Sequence, residues 1–474
     1  MTISTIFHKW ILLLPVVMVE AFLGGIICFY PGPVVPALIC ALAAGLICFC
    51  FPWAGLVIIV LLLPIGNLDY SITFGSITIR MFQIFALPTA MGWLLATLLK
   101  KESEPLIKWS PINHAIAVIT FWFFFSLLWS HNLGGWLSKN IQWMLCLVLF
   151  FMSLSLINSR DRIRKMVLLW VCVGCVAGIV SLAQFFFQGM GVILKGGIPE
   201  QWGAVRSSSV FKEPNDLALF MRYPFLLLMS VYPCLEKGRD KTAAFLIIGI
   251  MALGVLFTFS RGATLSLAGG VALMVLRHAA IRKLVVRAVL VSAVVILISG
   301  KGILVYNAIS ERLGSSFHIL MADDKAVNED VGYLVRISNW AAGVSIFMDN
   351  PVLGVGPGGY QGQAGHLLSG SDHLSTLGLN ADKPYNLYLD ILVSYGLVGF
   401  LLFIIMVVSI FYYCLKGAGS GSDLLYQNIS FCGAVLLIVL LAKGVTGEVF
   451  FESGQLWLFL GLVMSVIKRE SNAR

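Results

Sequence analysis

Three polar constellations interrupt an otherwise apolar chain, and each could do chemistry. The first is Arg261, in "LFTFSRGATLSLAGG", with apolar runs on both sides and almost no loop. Charge beside an apolar run is costly and calls for a reason. Arg261 reads either as a turn arginine snorkelling to headgroups or as a fixed cation. A guanidinium presents a planar fork of donors that suits phosphate oxygens. The second is Arg336, with Asn339 and Trp340 at i+3 and i+4, so the three share one helical face. The third lies in "KPYNLYLDILVSYGLVGF", where Tyr385 and Asn386 open a long apolar run. Upstream, Arg206 precedes "SSSVFKEPND" and Lys212 lies within it. There Pro214 sets a helix start, and Asn215 reads equally as a cap or as a ligand.

The elements that position these residues belong in a membrane. The 474 residues are 59% hydrophobic and 12% charged, with mean hydropathy +0.93. Apolar runs of about 20 residues match a hydrocarbon core of about 30 Å. In lipid the backbone must bond to itself, so these runs read as helices. No period-2 alternation marks an outer-membrane barrel. About fourteen spans are expected, at 10–30, 34–51, 52–66, 79–99, 112–130, 137–157, 166–187, 214–234, 242–259, 262–277, 284–300, 386–415, 426–444 and 455–467. The pair meeting at "FCFPWAG" is a tight hairpin or one broken helix, which lowers the count to twelve or thirteen. The run Trp10 to Tyr30 lacks a small-residue cleavage site and reads as a retained helix.

Charge orients the bundle. The net charge is +9, and no basic soluble domain accompanies it, so nucleic acid is not the expected partner. The basic loops at 100–108, 158–165, 236–241 and 277–283 and the tail at 468–474 fall on one side when spans are counted alternately. That side is expected to be cytoplasmic, with both termini inside. The opposite side carries 188–213 and the long segment 300–385, in which eight acidic residues face five basic ones. "ILVYNAISERLGSSFHILM" and "VGYLVRISNWAAGVSIFMDNP" predict amphipathic helices, the second stopping at Asn350-Pro351. "GVGPGGYQGQAG" supplies six glycines, a segment able to bring backbone close to a ligand. The ten cysteines fall in or beside apolar runs, so neither a disulfide framework nor a Cys172/Cys175 metal or redox pair is expected. "ADD" at 322–324 reads as a solvated helix end rather than a metal site.

Four segments, in order, resemble the O-antigen ligase and Wzy-type O-antigen polymerase superfamily. They are "VRSSSVFKEPNDLALFMRYPFLLL", "SRGATLSL", "RISNWAAGVSIFMDNPVLGVGPGGY" and "YNLYLDILVSYGLVG". The resemblance implies an all-α integral membrane protein, a polytopic helix bundle of the C-type glycosyltransferase class, with a long structured periplasmic loop. It also implies glycosyl transfer on the periplasmic face of the bacterial inner membrane, from a glycan on undecaprenyl diphosphate. By position, Arg261 and Arg336 are the arginines expected on the diphosphate. Two arginines there would stabilise the leaving charge without a metal or other cofactor. The expected organisation is N-terminal membrane helices over 1–190, helices with a short periplasmic loop and the SRGA segment over 191–300, the periplasmic loop over 301–385, and C-terminal helices over 386–474.

One position departs from the family pattern. Ligases carry His-Asn, nine residues, then Gly-x-x-Gly; here Asn386 and Gly396-Leu-Val-Gly399 keep that frame, but Tyr385 stands where histidine is expected. A tyrosine with a pKa near 10 is a poor base at neutral pH. Tyr385 therefore positions substrate while another group takes the proton (His373, Asp372, His366, Glu329 or Asp330), or the chemistry is dissociative enough to need little base help, or the chain is not a standard ligase. His366 and His373 read equally as loop surface. The expected site is Arg261, Arg336 and Tyr385, with Arg206, Lys212, Asn215, Asn339, His373 and Asn386 toward substrate. A polymerase-like role in surface polysaccharide assembly is expected. A ligase delivering glycan to lipid A core, a glycolipid transporter or flippase, and a non-catalytic scaffold are the alternatives. Against transport, there is no inverted repeat and no set of paired midplane charges.

Overall fold

A computed structural model of the chain describes residues 34–64, 72–74, 77–79, 81–99, 111–187, 197–199, 205–300, 302–303, 305–307, 310, 331–369, 383–420, 423–447 and 450–472. The expected first span at 10–30, most of the amphipathic helix over 303–320, the basic loop 100–108, and Glu329, Asp330, Asp372 and His373 lie outside these residues. The chain forms two compact units, Met1–Leu62 with Met81–Ser103, and Leu63–Arg80 with Glu104–Arg474.

In the first unit, α1 (Val34–Cys50), α2 (Pro52–Leu62) and α3 (Met81–Leu98) pack together. Phe51 alone joins α1 to α2. Its N–H donates to Ile47 O at 2.8 Å and its carbonyl accepts from Gly55 N–H at 3.1 Å. The junction is therefore one broken helix, not a hairpin. Pro52 removes a donor from the ladder and supplies the break. Small residues bring the backbones together. A Cβ on Gly92 would fall 1.9 Å from Phe49 O.

The second unit holds α4 (Pro111–Phe125), α5 (Leu133–Leu156), α6 (Arg160–Phe186), α7 (Pro214–Val231), α8 (Gly238–Leu256), α9 (Arg261–Arg277) and α10 (Ala279–Ile298). It continues with α11 (Val331–Asp349), α12 (Gly359–Ser369), α13 (Leu387–Ser420), α14 (Leu424–Gly444) and α15 (Gly454–Asn472). Two short antiparallel pairs complete it: β1 (Ile72–Phe74) with β2 (Ile77–Ile79), and β3 (Gly197–Pro199) with β4 (Val205–Ser207). Among the described residues six helices are long and apolar enough to cross a membrane, at 111–128, 133–156, 160–186, 214–234, 387–419 and 424–444. The chain is thus an all-α, multi-pass membrane protein. Helices also stand at the other expected spans that fall within the described residues, and α8, α9 and α15 pack against the six. Leu, Ile and Phe exposed on α4, α9, α10 and α13 make a surface suited to lipid.

The polar residues sort to two faces. On one face Arg160 pairs with Asp423 at 2.8 Å, Arg469 donates to Asn158 O at 2.9 Å, and Arg277 donates to Ala418 O at 2.7 Å. These are the basic connections that the sequence places together. The opposite face, the mouth, gathers the turns 205–216, 257–262, 350–359, 383–386 and 443–447.

Candidate active site

Arg261 opens α9 after a reversal of only a few residues. Helix α8 closes through Thr258 N to Val255 O and Phe259 N to Leu256 O, and Phe259 then takes φ +49°. The Thr258 hydroxyl donates to Val255 O at 2.7 Å and accepts from Ser260 N–H at 3.2 Å. Two apolar helices are thereby joined with their backbone polar groups satisfied, as lipid depth requires. Arg261 is half-buried at the first position of the second helix.

Strand β4 clamps this turn. Ser207 N–H donates to Phe257 O at 2.9 Å, and Arg206 Nε donates to Thr258 O at 2.9 Å. Arg206 Nη2 lies 3.4 Å from Asn215 Oδ1, at the start of α7. The strand is fastened by Gln184 of α6, whose carbonyl oxygen accepts from Ser208 and Ser209 N–H and whose amide donates to Ser209 O. Ser209 itself sits at φ +53°. Arg206, Asn215 and Arg261 therefore surround one turn, while Lys212 is exposed beside them.

Tyr385 and Asn386 reach the same mouth from the other end of the chain. The Asn386 carboxamide oxygen accepts from Tyr388 N–H at 3.0 Å and Leu389 N–H at 3.2 Å, so it caps α13. Tyr385 is held at φ +52°, with Lys383 Nζ 5.4 Å from its ring centroid and Trp340 Nε1 3.5 Å from its carbonyl. Ser209, Phe259 and Tyr385 are the three non-glycine residues with positive φ among the described residues. All three lie in turns at the mouth. Such conformations persist only where the surroundings impose them, and they gather at functional sites.

The face shared by Arg336, Asn339 and Trp340 divides its work. Arg336 is half-buried. Asn339 is fully buried: its amide donates to Val335 O at 2.7 Å, and its side-chain oxygen lies 2.8 Å from the Tyr360 hydroxyl. Burial, with the Asp390 carboxylate behind it, pushes the Tyr360 phenol well above its usual range, which keeps it a neutral donor.

Three of the glycines of 354–359 pack closely within the protein itself. Helix α13 is broken at Gly396, with φ +65° and ψ −170°. The segment 351–355 docks into the break. Leu397 N–H donates to Pro351 O at 2.9 Å, Val398 N–H to Val352 O at 3.4 Å, and Val355 N–H to Val393 O at 2.9 Å. Trp122 Nε1 donates to Tyr395 O at 3.2 Å. A Cβ on Gly354 would meet Gly396 N at 2.6 Å, and one on Gly358 would meet the Gly135 Cα at 2.6 Å. These glycines approach the chain's own backbone. From Gly359 the chain is helix rather than loop, so His366 lies within α12.

Two charged positions escaped the sequence reading. Asp390, one turn beyond Asn386, lies within electrostatic reach of Lys139, Glu452 and Lys383, and Lys139 pairs with Glu452 at 2.5 Å. Lys443, 8% exposed, ends α14 at the mouth. Its signal was present: a lysine at the end of an apolar run on the side that the basic loops avoid.

Residues 443–447 bridge the two halves of the mouth. A Cβ on Gly262 would meet Thr446 Oγ1 at 2.9 Å and the Lys443 stem at 3.3 Å. A Cβ on Gly447, at φ +99°, would meet Tyr385 O at 3.3 Å. The Tyr388 hydroxyl donates to Leu441 O at 2.7 Å. The α9 start bearing Arg261 and the α13 start bearing Tyr385 thus flank one turn.

No curated protein matches the chain. Residues 246–404, about a third of the chain, match the family model described as O-antigen ligase. The match includes the Arg261 turn, α11, the 350–359 segment and the Gly396 break; Arg206 and Asn215 lie upstream of it. This segment of the chain is similar to the O-antigen ligase family.

Proposed function

We propose that the protein is a glycosyltransferase of the bacterial inner membrane that moves a glycan from undecaprenyl diphosphate to a glycan acceptor at the periplasmic face. Its role is polymerase-like, and the mouth face is the periplasmic one. The observation that carries this reading is the junction at 443–447, which sets the Arg261 turn against the Tyr385–Asn386 entrance of α13. The arginine and the tyrosine that the resemblance assigns to donor and acceptor then flank one turn.

In the proposed reaction the bond between the anomeric carbon and the diphosphate oxygen breaks, and an acceptor hydroxyl oxygen bonds that carbon. The hydroxyl proton leaves to a base or to solvent. Arg261 and Arg336 hold the diphosphate and offset the charge it gains, the differential interaction that lowers the barrier. Two guanidinium groups supply that charge, so the proposal needs no metal. Arg206 braces the Arg261 turn through Thr258 O, and Lys212 and Asn215 line the approach. Asn339 holds α11, the helix that carries Arg336, to α12 through Tyr360. Tyr385 offers its ring and hydroxyl to the acceptor, and Asn386 fixes the helix start beneath it.

Transfer to lipid A core is the second reading, supported by the description of the matching family model. Purified protein supplied with a short-glycan undecaprenyl diphosphate, with and without a lipid A core acceptor, separates the two. Laddered glycan without core is the expected result, and core-linked product alone would make the protein a ligase. No product in either arm, with lipid translocation in liposomes, would overturn the enzyme reading.

A further inference from the structure

Two basic segments on the face opposite the mouth come together through one buried amide. Asn428 of α14 is 1% exposed. Its nitrogen donates to Cys234 Sγ at 3.5 Å, and its oxygen lies 2.9 Å from His278 Nε2. Cys234 ends the short helical turn Tyr232–Cys234 that leads toward α8, and His278 directly precedes α10. Helix α10 packs on that turn and on α8. The starts of α8 and α10 therefore lie side by side.

Six cations stand at these two starts. Lys237, Arg239 and Lys241 open α8, and Arg282, Lys283 and Arg287 fall in the first nine residues of α10. Lys241 is half-buried and the other five are exposed. Among the described residues none of the six side chains makes a hydrogen bond or an ion pair. Glu236 and Asp240 are the acids alongside, and α10 itself carries none. The basic start of α6, on the same face, differs: Arg160 pairs with Asp423, and Lys165 with Asp161. Cations at a helix start face the positive end of its dipole, and Lys283 and Arg287 are like charges one turn apart. Both placements are unfavourable, and a bound anion relieves both.

The surface beside the cations indicates which anion. Ile281, Leu284 and Ala288 form the packed face of α10. Lys283, Arg287, Leu290 and Val294 follow one another at three- and four-residue spacing on its exposed face. Side chains lean toward the start of their helix, so one at 287 leans back toward 283. A single exposed stripe thus carries positive charge at its outer end and hydrocarbon beyond it. A free phosphate or an acidic protein complements the charge alone, whereas a phospholipid complements both parts.

We infer that this surface binds an anionic phospholipid. Its phosphate lies on Arg282, Lys283 and Arg287, with the α8 cations beside it, and its acyl chains lie along the exposed stripe of α10. Arginine forks and lysine point charges both suit phosphate oxygens. The site is remote from the mouth and does not rest on the glycosyltransferase reading.

Native mass spectrometry of the full-length protein in neutral detergent, titrated with phosphatidylglycerol and with phosphatidylcholine, provides the test. The wild type is expected to hold phosphatidylglycerol about tenfold tighter or more. Each basic side chain near an anionic surface contributes about fivefold, so Lys283→Gln with Arg287→Gln should weaken phosphatidylglycerol about twentyfold and leave phosphatidylcholine unchanged. The unfolding midpoint without lipid should stay near wild type, because both side chains are exposed. Lys283→Arg with Arg287→Lys keeps the charge and should keep the preference. Lys237→Gln with Arg239→Gln approaches the same site from α8 and should weaken it likewise. Arg164→Gln with Lys165→Gln removes equal charge from the start of α6 and should change little. An equal loss in that control would make the effect the general charge of this face and overturn the inference. Equal wild-type affinity for the two lipids, or wild-type phosphatidylglycerol affinity in the α10 double variant, would also overturn it. Displacement of phosphatidylglycerol by millimolar inorganic phosphate would assign the cations to a free anion and overturn the lipid site.

Discussion

Replacing Gly396 by alanine tests the joint on which the mouth depends. Gly396 adopts φ +65° and ψ −170°, a region that only glycine occupies at low cost. A Cβ there would fall 2.1 Å from Val352 O and 2.6 Å from Leu353 N. Neither atom is a flexible side-chain end, so relief requires moving the 351–355 segment. That movement breaks the three backbone hydrogen bonds across the break, from Val355, Leu397 and Val398. Backbone strain of about 1–3 kcal/mol and about 0.5–1.5 kcal/mol for each lost bond sum to about 3–7 kcal/mol. Native stabilities are of the order of 5–15 kcal/mol, so the effect should be plain. The expected outcome is a large drop in the unfolding midpoint in detergent, with loss of glycan transfer. Easier proteolysis near 350–359 should accompany it, because the segment would leave its seat. Gly419→Ala is the control, since nothing lies within 4 Å of a Cβ there. Gly396→Ala with wild-type midpoint, proteolysis and turnover would refute the inserted-loop account.

The remaining predictions concern the site itself. Arg261→Ala and Arg336→Ala should each lower turnover about a hundredfold to a thousandfold while the protein still inserts and unfolds near the wild-type midpoint, consistent with loss of an electrostatic contact to a developing charge. Tyr385→Phe retaining full turnover would show that the phenol hydroxyl is dispensable, and Tyr385→His is expected to gain transfer to lipid A core if this position chooses the acceptor; assay with both acceptors reads the outcome. Tyr360→Phe removes the hydroxyl that satisfies Asn339 and should cost about 1–3 kcal/mol of stability. Because the folded state holds the Tyr360 phenol above its ordinary range, the unfolded chain loses that proton first. Stability should then be level below about pH 10 and fall above it, and the phenylalanine variant should show a shallower alkaline fall in an unfolding series.

Much of the frame was legible in the sequence because lipid enforces a local rule. An apolar run must satisfy its own backbone, so length and hydropathy alone predict helices such as 133–156, 160–186 and 424–444. Asn350-Pro351 likewise marked the end of α11 through proline's missing donor. The break between α1 and α2 had the same local signal, but hairpin and kink shared it until the hydrogen bonds at Phe51 decided between them. The family motifs located Arg261, Arg336, Tyr385 and Asn386, since those strings are contiguous.

What the sequence could not disclose depends on partners distant in the chain. The glycines of 354–358 read as a cradle for a ligand, yet backbone flexibility does not say what approaches. Packing supplies what approaches: the broken end of α13, about forty residues later, at Gly354, and Gly135 of α5 at Gly358. Lys443 and Asp390 likewise have no signal in their neighbours along the chain that names a partner: packing sets the Lys443 stem against the Gly262 position, and Asp390 comes within electrostatic reach of Lys139 and Glu452. By itself the sequence determined that this chain is a membrane helix bundle and which motifs it carries, because hydropathy and motif are properties of neighbouring residues. Only the tertiary structure decided which cations share one turn, because charge and hydrogen-bond partners act through space over a few ångströms, whatever their separation along the chain.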